Sequence, residues 1–185
     1  MASQNALLGP MSELIATFEA NAIEAAAEVQ RIRARPDDLL EAVRRITRGA
    51  SSIVVGAGEF IPGGLTEALR GLPDVLEAPT DEELSTAEVG ICGAFAGVAS
   101  AGSVCVAMGP SLVTMTSLLM PLHIVLLPVD RIIPRPRDLF DPALLNGEGL
   151  RRNIVFITGP SATADMGPLV RGVHGPHRLQ IILLE

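Results

Sequence analysis

The sequence predicts an α/β fold, with a mainly parallel sheet flanked by helices and preceded by a helical N-terminal extension. Three observations carry that expectation. Beyond Ala50, short apolar runs alternate with short helical stretches and Gly/Pro turns, the order that builds parallel strands through crossover helices. The runs His123–Val129 and Leu179–Leu184 are apolar at successive positions, as strands covered on both faces are. The chain has 185 residues, 48% of them hydrophobic, which suits one domain with a substantial core. The expected organisation is a single domain, 1–185, with the helical extension at 1–49 and the α/β core at 50–185.

Taken in order, residues 12–48 read as helix. Ser12 is a candidate cap, and Leu14, Ile15, Phe18, Ala22, Ile23, Ala26 and Val29 recur at helical spacing. Pro36 breaks the pattern. Asp37 and Asp38 open a second helix with Leu39, Leu40, Val43 and Ile46 as its apolar stripe, and Gly49 closes it. Strands are expected at Ser52–Val55, Val75–Glu77, Glu88–Cys92, Ser103–Met108, His123–Val129, Asn153–Thr158 and Leu179–Leu184. Helical pieces are expected at Leu65–Leu72, Asp81–Thr86 and Arg137–Leu145, with a further short helix after Thr158. Ser111–Leu119 reads as helix or loop.

Composition excludes several functions. The formal charge is −7, a poor balance for gripping nucleic-acid phosphates. All 14 basic residues are arginine; without lysine there is no Schiff-base chemistry and no Walker A loop. Trp and Tyr are absent, which removes the usual base-stacking platforms. The N-terminal residues show no signal-peptide pattern. Val89–Val129 contains no Asp, Glu or Arg, long enough for a membrane span, but Pro110, Pro121 and Pro128 interrupt it. Several buried strands explain it better. Six arginines between Arg31 and Arg48, interleaved with Asp37, Asp38 and Glu41, read as a solvated helical face. Cys92 and Cys105 lie in apolar runs, the usual setting of reduced buried thiols, and two cysteines fall short of the four that a cluster needs.

Three segments could carry chemistry. Gly56-Ala-Gly58 after an apolar strand resembles half a dinucleotide fingerprint, but position 61 is Ile where a third glycine belongs. A plain strand-to-helix turn fits better. Thr158-Gly-Pro-Ser161 with Thr163 and Asp165 ends a buried strand. An anion is expected there if a helix starts beyond it, with Gly159, Ser161 and Thr163 as binding groups. Asp165 is equally a helix cap. Gly172-Val-His174-Gly-Pro-His177 offers His174 as a proton carrier or hydrogen-bond donor beside Gly175. Two histidines three apart with no third ligand nearby do not make a metal site, so none is assigned. Ser161 lies outside any Gly-x-Ser-x-Gly elbow, which disfavours a nucleophilic triad.

Ile157-Thr-Gly-Pro-Ser-Ala-Thr-Ala-Asp165 followed by Arg171-Gly-Val-His-Gly-Pro176 resembles the C-terminal signature of the LUD domain, the lactate-utilisation protein C family. Gly93-Ala-Phe-Ala-Gly-Val-Ala-Ser-Ala-Gly-Ser103, Leu119-Met-Pro-Leu-His123 and Asp130-Arg-Ile-Ile133 are similar to that family's central segments. The resemblance implies a fold like that of CoA transferases and sugar-phosphate isomerases. It also implies a cytoplasmic, accessory role in oxidising L-lactate to pyruvate beside two iron–sulfur proteins, with no cofactor or cluster in this chain. Two departures stand out. Ala99-Ser-Ala-Gly-Ser103 replaces a pattern with Glu, and Ser161-Ala-Thr-Ala-Asp-Met-Gly167 replaces one with Arg and Glu. A second class of function is an enzyme or sensor that binds a small anionic metabolite at the strand carboxyl ends: a CoA ester, sugar phosphate or organic acid. The site expected for it is one cleft formed by Gly159–Asp165, His174-Gly175 and the Gly97–Ser103 loop. His174 and Asp165 are its candidate catalytic residues; Gly159, Ser161, Thr163, Gly175, Gly102 and Ser103 are its candidate ligand-binding residues.

Overall fold

A computed structural model describes residues 11–56, 60–108, 112–141, 153–164 and 167–185. Five parallel strands form the central sheet, in the order β1 (Glu28–Ile32), β11 (Arg178–Leu184), β6 (Leu122–Pro128), β3 (Val89–Gly93) and β2 (Ile53–Val55). A second sheet of four strands runs β7 (Ile132–Ile133), β4 (Ala96–Val98), β5 (Ser103–Met108) and β8 (Asn153–Ile157). Its β4–β5 and β5–β8 pairs are antiparallel and its β4–β7 pair is parallel. A two-residue antiparallel pair joins β9 (Ala162–Thr163) to β10 (Val170–Arg171). The helices are α1 (Met11–Glu24), α2 (Pro36–Ile46), α3 (Leu65–Arg70), α4 (Asp81–Thr86) and α5 (Leu112–Leu118).

The central strands explain their own composition. Side chains alternate between faces along a strand, so a strand covered on both sides is apolar throughout. Ile124, Leu126, Ile182 and Leu184 pack with Leu39 and Val43 of α2 and Leu65 and Leu69 of α3. Val125, Leu127, Ile181 and Leu183 pack on the other face with Ile15 and Phe18 of α1 and with Val104 and Val106 of β5. The uncharged stretch Val89–Val129 thus becomes β3, β4, β5, α5 and β6, all largely buried. No helix among the described residues is long and apolar enough to cross a membrane.

The fold corrects four readings of the sequence. The N-terminal helix is present, but residues 12–48 are not all helical. Helix α1 stops at Glu24, and Glu28–Ile32 pairs with β11 as an edge strand of the central sheet. Ala26, with φ +67, turns the chain between the two. The apolar residues that suggested continued helix, such as Val29, are the inward positions of that strand. Ser12 lies inside the helix, one residue past its start, and so is not its cap. The segment after Thr158 holds the β9–β10 pair, with no helix among its described residues. Of Arg137–Leu145, Pro136–Phe140 forms a 3-10 turn, and residues 142–145 lie outside the described ones.

Exposed charges contribute little to this arrangement. Arg178 bonds Glu28, Arg33 bonds Asp38, and Arg31 bonds Glu19. Such exposed pairs are worth about 0–1 kcal/mol each, against roughly 1.5–3 kcal/mol for each large apolar side chain fully buried. Close backbone packing matters more. At Gly102, φ is +60 and an added Cβ would lie 2.1 Å from the Ala22 nitrogen of α1. At Gly159, φ is +70 and a Cβ would lie 1.9 Å from the Ala25 carbonyl oxygen. Both glycines let the end of α1 rest directly on the second sheet. Gly102→Ala is therefore expected to cost at least about 2 kcal/mol, from left-handed strain plus overpacking. Gly63→Ala, with open space around it, should stay within about 0.5 kcal/mol. Urea unfolding of the two variants measures the difference; equal midpoints would contradict this packing.

Candidate functional site

A cavity of about 240 Å³ opens where the two sheets meet. Thr158, Gly159 and Ser161, just beyond β8, form one wall, and His174, Gly175 and Pro176 form another. His123 and Leu179, the second residues of β6 and β11, and Ser117 and Leu118 of α5 complete it. The two glycine-rich segments are tied together by main-chain hydrogen bonds. The Ser161 N–H donates to the Pro176 carbonyl at 2.9 Å, and the Gly172 N–H donates to the Ser161 carbonyl at 2.8 Å. The approach is close: a Cβ at Gly175 would lie 3.2 Å from Ser161 Cβ, tighter than ordinary contact.

Four of the residues singled out in the sequence therefore share one cavity: Gly159, Ser161, His174 and Gly175. Ser103 stands behind the wall, its hydroxyl 2.7 Å from that of Thr158. Gly102 is not at the cavity; it lies under α1, as does the rest of the loop before it, where Gly97 meets Leu127 and Phe18. Thr163 pairs with Val170 in the β9–β10 ladder and does not line the cavity. Asp165 lies outside the described residues. Among the described residues no helix start supplies an anion site: those after Ser161 enter that ladder, and the Ser161 N–H is already bonded.

The cavity also sits at the opposite end of the sheet from the one expected. His123 and Leu179 are at the amino ends of their parallel strands. The reason is that Asn153–Ile157 belongs to the second sheet, antiparallel to β5. The carboxyl end of β8 thereby meets the amino ends of β6 and β11, and the rule for open parallel sheets does not apply to it.

His123 is the residue that the sequence reading missed. It is wholly buried at 0% exposure, on the same face of β6 as Val125. Its Nε2 lies 3.1 Å from the Cys92 Sγ of neighbouring β3. Its Nδ1 has no hydrogen-bond partner among the described residues. A buried polar atom left unpaired costs about 1–3 kcal/mol. Burial lowers the His123 pKa to about 3, so the ring is neutral at ordinary pH. Burial pushes the Cys92 thiol up to about 12, and the Cys105 thiol likewise. Neither is a ready nucleophile. The lone histidine at the start of an apolar run was the available signal. Its burial and its partner depend on which strand lies beside it, which sequence spacing does not give.

Arg44, Arg45 and Arg48 line a larger, shallower groove along α2 with Asp37, Leu40 and Glu41. The mixed charges fit a solvated face. Arg45 donates to Gln30 Oε1 at 2.6 Å. No group of three or more potential metal ligands occurs among the described residues. His177 packs its ring against Gly172, while His174 lines the cavity.

The burial of His123 makes a pH prediction. The unfolded chain takes up a proton near the ordinary value of 6.5, but the folded ring stays neutral down to about 3. Between those limits the unfolded state binds more protons. Stability contributed by the neutral ring is full above about pH 6.5 and declines as pH falls, by about 1.4 kcal/mol per unit. Urea unfolding of wild type and His123→Gln at pH 4, 5, 6 and 7 is expected to show a shallower slope for the variant. Parallel curves would contradict a neutral buried ring.

Comparisons with known proteins agree with this architecture. The family model of the LUD domain matches residues 15–184. Lactate utilization protein C of Halalkalibacterium halodurans is 37% identical over 109 residues, which span 56% of this chain and 47% of that protein. Uncharacterized protein NMB1437 of Neisseria meningitidis serogroup B is 29% identical over 104 residues, 56% of this chain and 45% of that protein. The matched region thus spans about half the length of these relatives. A solved structure of a DUF162 family protein from Deinococcus radiodurans superposes with a TM-score of 0.68 over 96% of this chain and 100% of that one, at 21% identity, a likeness of fold. With its α/β core, its Gly-Pro-Ser and Gly-Val-His-Gly-Pro segments joined around one cavity, and a family match over nearly its whole length, the chain belongs to the LUD-domain family.

Proposed function

We propose that this protein takes part in L-lactate utilisation and that its own contribution is to bind a small organic acid in the cavity between the sheets. The observation that carries the reading is the convergence of Ser161, His174 and Gly175 on a cavity of about 240 Å³. That volume is below the roughly 300–1,000 Å³ of sites for drug-sized ligands. It suits a three- or four-carbon acid better than a CoA ester or a sugar phosphate. The Ser161 hydroxyl and the exposed His174 ring supply polar groups for a carboxylate; Leu118, Phe156 and Leu179 supply an apolar wall. Similarity to a relative named lactate utilization protein C supports the choice of acid.

In this reading the chain is an accessory, cytoplasmic subunit that carries no iron–sulfur cluster. Its two cysteines are buried, one beside His123 and one in the second sheet, and clusters usually need four thiolates. Electron transfer then falls to iron–sulfur partner proteins, and this chain presents or senses the acid. His174 holds or donates a hydrogen bond at the mouth, and Gly159 lets the wall turn tightly under α1.

Thermal unfolding with L-lactate, pyruvate, CoA and a sugar phosphate tests the reading. A ligand at 100 times its Kd stabilises the fold by about 2.7 kcal/mol. L-Lactate or pyruvate is expected to raise Tm, and Ser161→Ala is expected to weaken binding about tenfold, the loss of one hydrogen bond to a charged group. No response to any organic acid, or a response to CoA alone, would overturn it.

A further inference from the structure

Among the described residues the two larger sheets end in four outer strands, and three of these are guarded. Strand β1 carries Glu28 and Arg31, ion-paired with Arg178 and Glu19. Outside β2, the Ile53 N–H donates to the Asp74 carbonyl and the Leu76 N–H donates to the Ile53 carbonyl, so residues 74–76 cover that edge. Strand β7 has only two residues, and Pro134 follows it. Charge, cover and shortness are the usual means by which a sheet edge avoids pairing with another chain. Strand β8 uses none of them. It is five residues long, Asn153-Ile-Val-Phe-Ile157, with no charge and no proline. Strand β5 takes one side of it, and among the described residues no strand pairs with the other. Val155 is 38% exposed and Phe156 44%.

Alternate residues of an outer strand aim their N–H and C=O groups away from the sheet, and a further strand pairs them in a row. A second copy supplies a strand of the same length and the same lack of charge. Elsewhere two copies repel, since each carries a formal charge of −7. We propose that two copies of this chain pair antiparallel through β8, about a two-fold axis at Val155, and join their four-stranded sheets. A two-fold axis makes the contact self-complementary and closed, so assembly stops at a dimer. Centring on Val155 is the register that uses all five residues. Val155 then faces its own counterpart, Ile154 faces Phe156 of the second copy, and Asn153 faces Ile157. Apolar cross-strand pairs of this kind stabilise antiparallel strands. Phe156 and Ile157 also line the cavity, so Asn153 of the second copy comes to lie beside that wall. One pair of five-residue strands falls short of the roughly 1,200 Å² that stable complexes bury, so the dimer is weak and reversible. The pairing does not depend on what the cavity binds.

Sedimentation equilibrium of the full chain, from micromolar to millimolar concentration, is expected to show the mass rising from one copy toward two. Val155→Lys sets like charges face to face at the axis and should weaken dimerisation at least about tenfold. Circular dichroism of the dilute variant checks that the monomer still folds. A second variant works by gain instead of loss. Val155→Cys puts two thiols opposite each other, their Cα atoms about 4.5–5.5 Å apart in either kind of antiparallel pair, which is within disulfide range. Under mild oxidation it should form covalent dimer at least about tenfold faster than Ile23→Cys, because pairing raises the local thiol concentration. Ile23, on α1, is the more exposed site at 58%. The native Cys92 and Cys105 are buried and do not compete. A single-copy mass at every concentration, with Val155→Cys cross-linking no faster than Ile23→Cys, would overturn the proposal. A dimer that Val155→Lys leaves intact would overturn it as well.

Discussion

The cavity depends on how closely the end of α1 approaches the second sheet. Two glycines with positive φ, Gly102 and Gly159, leave room for the backbone of Asn21–Ala25, with no side chain between. Asn21 adds a side-chain hydrogen bond to the Ala99 carbonyl at 2.7 Å. That docking fixes the end of β8 against the amino ends of β6 and β11. Thr158 and Ser161 are thereby brought to His123, and the β9–β10 ladder brings His174 and Gly175 behind them. A side chain at either glycine would collide with the backbone at the end of α1.

The same close packing accounts for the polar cluster at its base. Gly90 allows α5 to lie on β3; a Cβ there would be 2.3 Å from the Thr116 carbonyl oxygen. Thr116, Cys92 and His123 meet only because α5 sits at that depth on adjacent parallel strands. The stretch from Val89 to Val129 carries no formal charge, yet it contains the buried polar groups nearest the cavity. Buried polar groups are kept where each has a partner, and here one nitrogen is left over.

Much of the fold was legible in the sequence because its signals are local. Asp81–Thr86 is helical where Thr80 and Glu83 form a reciprocal cap, and Ser103–Met108 is a strand as its apolar run indicates. Val29 and its neighbours were ambiguous because a short apolar segment fits either period; pairing with Leu179–Leu184 decided for strand. The site was half legible. Ser161, His174 and Gly175 sit in glycine-rich turns that advertise close backbone approach. His123 did not, since an isolated histidine in an apolar run has no local mark of what it faces. Gly102 and Ser103 were misplaced for a related reason: whether a glycine makes room for a ligand or for a helix depends on tertiary contacts.

The central claim is that a small acid binds between the two sheets, not on the arginine-lined face of α2. A backbone amide NMR titration with L-lactate tests it most directly, since it maps the binding position without assuming one. The account predicts the largest shifts at Thr158, Ser161, Gly175 and His123, with α2 unaffected. Shifts centred on Arg44, Arg45 and Arg48, with the cavity residues unmoved, would contradict it.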